Sequence, residues 1–312
     1  KTVRRRVKKF VKSVEEGEIS QPFYADVGVF ETHRPFDEPT QEEINKITQK
    51  YIPLYLPDNP VIRKEIAGFY RQLKEMDRQI GKVLSLIESS SFADNTIIVF
   101  TVDHGWAFPR AKATLYDPGI ATPLLMYWKN HIEGGVSYDH LISNVDIFPT
   151  LLDLAKISLP TNVVDVIDGK SFRNLLYNDF YTPRQAIYAE MTHHDQGYNP
   201  MRVIRTKKWK YICNFTNFKN VQFQIHNDAL EEAEAGDVYI KYHPEYRTNR
   251  PKEELYNLES DPQERKNLAN EIRFYKVKSK LRVTLMDQLR KTHDPILSGK
   301  VSAPEEPKFF IF

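Results

Sequence analysis

The chain carries a single cysteine, Cys213, in 312 residues, so no intrachain disulfide can form. That cysteine lies in the alternating run Lys210-Tyr-Ile-Cys-Asn-Phe215 and reads as a small apolar core residue. An excess of charge is also lacking. Forty-four basic and 42 acidic residues leave a net +2, which implies no strong electrostatic partner such as nucleic acid. No apolar run approaches the length of a membrane span, and no internal repeat is visible. The basic start, residues 1–10, has no apolar centre and is not a secretory signal; the compartment stays open. Within it Val3, Val7, Phe10, Val11 and Val14 fall at helical spacing, so its lysines and arginines read as the solvated face of an amphipathic helix. What is present suffices for a core: 41% hydrophobic and 12% aromatic residues, in a length that allows one large domain or two.

The densest chemical signal is Phe100-Thr-Val-Asp103-His104-Gly105, followed by Lys112 and then by Tyr116-Asp117-Pro118-Gly119. Residues 95–100 are rich in β-branched side chains and read as a buried strand. A strand ending in Asp-His-Gly delivers a carboxylate and an imidazole to the carboxyl edge of a sheet, where open α/β sheets bind ligands. Both groups suit a divalent cation. Lys112 adds a cation able to hold an oxyanion beside it. The combination points to hydrolysis of an anionic ester or amidate. Against it stands the plain reading that Asp and Gly are ordinary turn residues after a strand.

Residues 23–30 read as a strand that leads into His33-Arg34-Pro35-Phe36, and residues 41–52 as a helix. Asn59-Pro60 is a helix start, with Asn as the cap and Pro in the first turn. Ile62, Ile66, Phe69, Tyr70, Leu73, Met76, Ile80, Val83, Leu84 and Ile87 continue it as a core-facing stripe, with Asp77 as a structural residue. Residues 123–128 read as a strand and 145–156 as a helix. This alternation implies an α/β fold with a mostly parallel sheet flanked by helices. Near 181–184 the pattern changes. Residues 186–191, 201–206, 209–215 and 254–258 read as short strands, with a hairpin turn at 206–209, and about 272–290 as a helix carrying Val277, Leu281, Leu285 and Leu289. The expectation is a small antiparallel sheet with one packed helix. The charged segment 227–244 reads as a surface insertion. The expected division is residues 1–180 and 181–312.

These pieces resemble the sulfatase family of the alkaline-phosphatase superfamily. The resemblance rests on Pro22 to Phe36, Tyr70 to Leu86, Thr101 to Gly105, Lys112 to Gly119, Thr122-Pro123-Leu124-Leu125, Ser143 to Asp153, Asp168 to Phe172, Arg202 to Thr206, and Glu254 to Leu268, in the family's order. The Phe108-Pro109, Leu115-Tyr116 and Pro200-Met201-Arg202 contexts look most like the heparan N-sulfatase branch. Two family features are lacking: a first strand with paired aspartates, and the Cys- or Ser-x-Pro-x-Arg motif whose Cys or Ser becomes the formylglycine nucleophile. With no initiator Met either, the chain is expected to be the family's fold without its N-terminal third, as a fragment or one chain of a processed enzyme.

The resemblance implies roles. Asp103 and His104 would be metal ligands, and Lys112 and His33 would act catalytically at the sulfate. His193 and His194, in a loop after the 186–191 strand, would bind substrate together with Arg202. The cofactor would be one divalent metal, calcium by family; manganese or zinc are alternatives because many sulfatases carry Asn where His104 stands. The substrate would be a sulfate ester or sulfamate of a sugar, N-sulfoglucosamine favoured. A phosphodiesterase or phosphonate monoester hydrolase of the same superfamily is the first alternative. A non-catalytic remnant with an exposed apolar sheet edge is the second. Asn214-Phe-Thr216 has the N-glycosylation form, which recurs by chance.

Overall fold

The computed structural model describes residues 2–160, 167–194, 197–216, 238–239, 241–242 and 250–302. The long element is helix α3, Pro60–Glu88, reached after α1, Thr2–Glu15, and α2, Gln41–Lys46. It begins where expected: the Asn59 side chain accepts hydrogen bonds from the amides of Val61 and Ile62, and Pro60 has no amide to leave unpaired. Helix α1 lays Val7, Val11 and Val14 against Phe92 and the far end of α3, burying the stripe read from its spacing. The near end of α3 packs Ile62 and Ile66 with Ile47, Ile52, Tyr55, Leu56 and Phe108. The single helix expected over 41–52 is instead α2 followed by a separate turn at Gln49–Tyr51.

Residues 23–30 form no strand. Phe23 is anchored edge-on between Phe10 and Phe92, but Tyr24, Val27, Val29 and Phe30 are exposed. The strand read from sequence does not form, and among the described residues no strand pairs with this segment. Strands β1, Ile98–Thr101, and β2, Leu124–Tyr127, pair antiparallel, with Val99 opposite Met126. Among the described residues this antiparallel pair is what stands of the helix-flanked sheet expected in the first half of the chain. A parallel return needs a crossover, usually helical; the connection between these strands holds only the one-turn helix α4, Asp117–Ile120. Helix α5, Ile147–Leu154, and the short α6, Arg173–Leu176, pack against this pair through Leu154, Phe172, Leu175, Leu176, Leu124 and Met126.

The second sheet is complete in itself. Strands β3 Ile187–His194, β4 Gly197–Arg205, β5 Trp209–Asn214 and β6 Glu253–Asn257 pair antiparallel in chain order. Side chains alternate between its faces. Ile204, Tyr211, Cys213 and Leu255 turn to helix α7, Tyr275–Lys291, and meet Leu281, Leu285 and Leu289. Val203, Ile212 and Tyr256 turn the other way, onto Leu115, Tyr116 and Ile120 of the segment that follows Asp103. The sheet is thus covered on both faces, and one cover is the segment carrying the candidate site. The antiparallel sheet with a packed helix is as expected from sequence. The expected loop at 193–194 is not: strand β3 continues past a bulge to His194, opposite Gly197, because pairing with β4 extends a strand whose apolar pattern stops at Met191. Of 227–244 only four residues are described, and Tyr239 is buried in the core beside Ile47 and Ile62, so the segment is not wholly superficial.

Candidate active site

Strand β1 ends one residue before Val102 and hands the chain to Asp103, whose side chain is 85% exposed. The His104 amide donates to Asp103 Oδ1 at 2.9 Å. His104 Nδ1 lies 2.7 Å from the Gly105 carbonyl oxygen. A carbonyl only accepts, so Nδ1 carries the proton and Nε2 presents a lone pair. Asp103 Oδ2 lies 3.5 Å from that Nε2. A carboxylate oxygen and an imidazole nitrogen at this spacing, the ring oriented by its other nitrogen, form the donor pair a divalent ion needs. The pair fits a metal but does not complete its coordination. No cluster of three or more His, Cys, Asp or Glu suited to a metal occurs among the described residues.

The loop beyond is held by close approach and by hydrogen bonds. A Cβ at Gly105 would fall 1.7 Å from the Pro118 carbonyl oxygen, and one at Gly119 would fall 2.4 Å from that of Ala111. Only glycine permits these contacts. The Gly105 amide donates to Gly119 O at 3.0 Å, and the Lys112 amide to Trp106 O at 3.1 Å. Arg110 and Ala113 flank Lys112 at φ 64° and 59°. Left-handed backbone at such residues costs on the order of 1–3 kcal/mol each and persists where surrounding contacts impose it.

Those contacts bring Lys112 to His33. Lys112 Nζ lies 3.3 Å from His33 Nε2, and His33 Nδ1 lies 2.6 Å from the Arg34 carbonyl oxygen. By the same reasoning Nδ1 is protonated, and Nε2 accepts from the ammonium. The Phe30 ring stacks on the imidazole at 4.8 Å. Arg34, the next residue, is buried. Its guanidinium pairs with Glu65 of α3, donates from Nε to Ala107 O at 3.0 Å, and lies over the rings of Phe36 and Phe108. It therefore ties the segment bearing His33, helix α3 and the segment bearing Lys112 into one unit.

A second fastening comes from the far sheet. Lys210, wholly buried on β5, pairs with Asp117 Oδ1 at 2.5 Å and approaches Glu264 Oε1 at 2.8 Å. Arg205 of β4 reaches Asp117 Oδ2 at 3.1 Å. Burial pushes the Asp117 carboxyl up, but Lys210 and Arg205 outweigh it and hold it below the ordinary range. At Glu264 burial dominates and raises the carboxyl above its ordinary value.

The chain thus brings His33 to Lys112 and sets Asp103 beside His104. His193 and Arg202 lie elsewhere, with partners in the C-terminal segment. His193 Nε2 is 3.0 Å from Val301 O. Arg202 is buried, bonded through Nε and Nη2 to Asp294 at 2.5 and 2.9 Å and paired with Glu190 at 3.1 Å. The His194 side chain lies outside the described residues. Cys213 is buried and its thiol pushed up by that burial, as befits a core residue. Asn214 is also buried, donating to Pro251 O and to Glu254, and is not placed as a glycan acceptor. Reading the sequence missed Arg34, Lys210 and Glu264. Each lies in a run the sequence singled out, at 33–36, 210–215 and 254–268, but in none of them did its charge mark it as buried.

Comparison with known proteins followed the same residues. The sulfatase family profile matches residues 3–157, and that of the N-sulphoglucosamine sulphohydrolase C-terminal region matches 102–242. An ulvan-active sulfatase of Formosa agariphila is 31% identical over 246 residues, 76% of this chain and 40% of the relative. Human N-sulphoglucosamine sulphohydrolase is 31% identical over 276 residues, 82% of this chain and 53% of the relative. The chain thus spans about half the length, or less, of these relatives. Three solved structures share the fold. A 2-O GAG sulfatase aligns with TM-score 0.59 at 21% identity, over 96% of this chain and 60% of that one. The phosphonate monoester hydrolase of Agrobacterium radiobacter aligns with TM-score 0.64 at 19% identity, over 92% of this chain and 60% of that one. A protein solved with its substrate D-glucosamine-2-N,6-O-disulfate aligns with TM-score 0.56 at 22% identity, over 77% and 44%.

Proposed function

Because the chain belongs to the sulfatase family, we propose that it forms part of a hydrolase of sulfate esters or sulfamates, with an N-sulfoglucosamine-type or other sulfated sugar as substrate. Asp103 and His104 would hold one divalent metal, calcium by family or manganese or zinc by the imidazole. Bound there, such an ion would supply positive charge to the sulfate oxygens. Lys112 places a second cation beside the same group. His33 presents Nε2 at the Lys112 ammonium; a proton held between these two atoms is available to the departing oxygen or nitrogen of the sugar. The nucleophile and the remaining metal ligands are assigned to sequence outside these 312 residues, in keeping with relatives about twice as long. His193 and His194 are assigned to the sugar, with Arg202 behind them holding strands β3 and β4. The division near residue 180 belongs to the same proposal, supported by the C-terminal sheet having its own core with helix α7, although its other face packs on Leu115, Tyr116 and Ile120.

The observation that carries the reading is the Lys112–His33 contact, made by two segments that Arg34 ties together, the second also shaped by the two glycines. The second reading, a phosphonate monoester hydrolase, draws on His104 and on the 0.64 fold match. The test uses the full-length native protein with metal, assayed on N-sulfoglucosamine, glucosamine 6-sulfate and a phenyl phosphonate. Lys112→Ala is expected to lower kcat/KM by about 10²–10³ on the preferred substrate, the effect of removing one charge-stabilising donor. Preference for the phosphonate moves the assignment to the second reading. A folded, metal-loaded protein inert on all three sinks both and leaves a binding role.

A further inference from the structure

We propose that Glu264 is a positioning residue for Lys112, acting as a clamp that grips both ends of the segment 110–117 from the C-terminal half of the chain. The inference rests on Lys112 facing substrate, as proposed above. The observations are geometric. Glu264 is fully buried and in the left-handed backbone region, φ 55°. Its carbonyl oxygen accepts from Arg110 Nη2 at 2.5 Å, at one end of the segment. Its Oε2 accepts from the Asp117 amide at 2.5 Å, at the other end. Its Oε1 faces Lys210 Nζ, which also pairs with Asp117 and donates to Leu115 O at 3.2 Å.

One residue therefore meets the segment on both sides of Lys112, 147 positions away in sequence from Asp117. A loop with two left-handed non-glycine residues needs such outside contacts to keep one conformation. The 3.3 Å approach of Lys112 to His33 is made at the middle of the gripped span. The side chain of Glu264 does not touch Lys112 or His33. It acts by fixing the backbone on which Lys112 stands, and Lys210 neutralises it where water is excluded.

The test compares Glu264→Ala and Glu264→Gln with the wild-type full-length protein in two readouts. Hydrogen exchange follows the amides of 110–117 against those of helix α7 as an internal reference. Steady-state kinetics on the sulfated sugar follow kcat and KM separately. The expected result for Glu264→Ala is faster exchange confined to 110–117, with kcat lowered about a hundredfold, the scale of an ångström misplacement, and KM changed far less. Glu264→Gln keeps an acceptor for the Asp117 amide and should recover most of both. Unchanged protection of 110–117 in Glu264→Ala overturns the clamp; so does equal loosening of 110–117 and α7, which marks a merely structural role. Should Glu264→Ala fail to fold, Arg110→Ala, which releases the Glu264 carbonyl end of the grip, is judged by the same two patterns. A wild-type protein that turns over no sulfated sugar sinks the sulfatase reading, and the exchange comparison then decides the clamp by itself.

Discussion

The two sheets among the described residues differ in how much of themselves they cover. The C-terminal sheet has four strands, a helix on one face and the 115–120 segment on the other. The β1–β2 pair has two strands, and Leu125 of β2 is 58% exposed. Two-stranded pairs are marginal without packing on another layer. Yet the candidate catalytic groups follow the smaller pair. Their geometry is not inherited from the sheet that delivers them. It comes from charged residues reaching across the sequence: Arg34 to Glu65 and Ala107 on one side, Lys210 and Glu264 to Asp117 on the other. The site is fastened by its neighbours, while the C-terminal sheet is fastened by its own core.

That contrast breaks first at Arg34. If buried charge pairs hold the site, removing one partner should cost more than any apolar truncation nearby. Glu65→Ala leaves the Arg34 guanidinium buried without its carboxylate, and about 3–5 kcal/mol of stability should be lost. Urea unfolding with an unchanged m-value is the measurement. A loss under about 1 kcal/mol, the range of exposed pairs, would mean the pair is wet in solution and the aromatic rings around Arg34 do the holding.

The next comparison sets Leu285 of α7 against Leu125 of β2. Leu285 is nearly inaccessible in the C-terminal core. Its truncation to Ala should cost about 2–5 kcal/mol, the range for buried leucines. Leu125→Ala should stay within about 0.5 kcal/mol, as surface changes do. Equal losses in the same denaturation experiment would show that β2 is covered in solution by something beyond these residues.

Much of this was legible in the sequence, and unevenly so. The head of α3 follows from Asn59-Pro60, because a cap and an N-terminal proline are local chemistry. The strands β3 to β6 and helix α7 follow from alternation and from a four-residue stripe, which are also local. The Asp103-His104 pair and Lys112 stood out through their motif. Residues 23–30 misled because a strand-like run of side chains does not say whether a pairing partner exists. The direction of β2 was not legible because it depends on the connection, which holds one helical turn rather than a crossover. Arg34, Lys210 and Glu264 stayed hidden because a charged residue in sequence reads as surface. Only partners 31, 95 or 147 positions away show it to be interior.

The smallest effect concerns pH, and it separates Glu264 from the other buried carboxyls by sign. Asp294, bonded to Arg202 at the C-terminal sheet, is pushed up by burial, but the Arg202 bonds and the Ile296 amide prevail and leave it below its ordinary 3.8. A carboxyl lowered on folding stabilises the fold above its unfolded value, and the contribution is lost as pH falls through the folded one. Asp117 behaves likewise. Glu264 is raised above 4.5 by burial, so its contribution runs the other way. It is present below about 4.5 and lost as pH rises through the folded value. Stability should therefore rise as pH falls from 7 towards the ordinary carboxylate range, then drop below about 3.8 as Asp294 and Asp117 protonate. Thermal unfolding midpoints taken from pH 7 to 3 read both limbs. Glu264→Gln, which cannot ionise, should flatten the upper limb and leave the lower one standing. If the upper limb survives in that variant, the charge that burial disfavours sits on another residue, and the buried cluster joining the site to the C-terminal sheet is not what senses pH in the upper range.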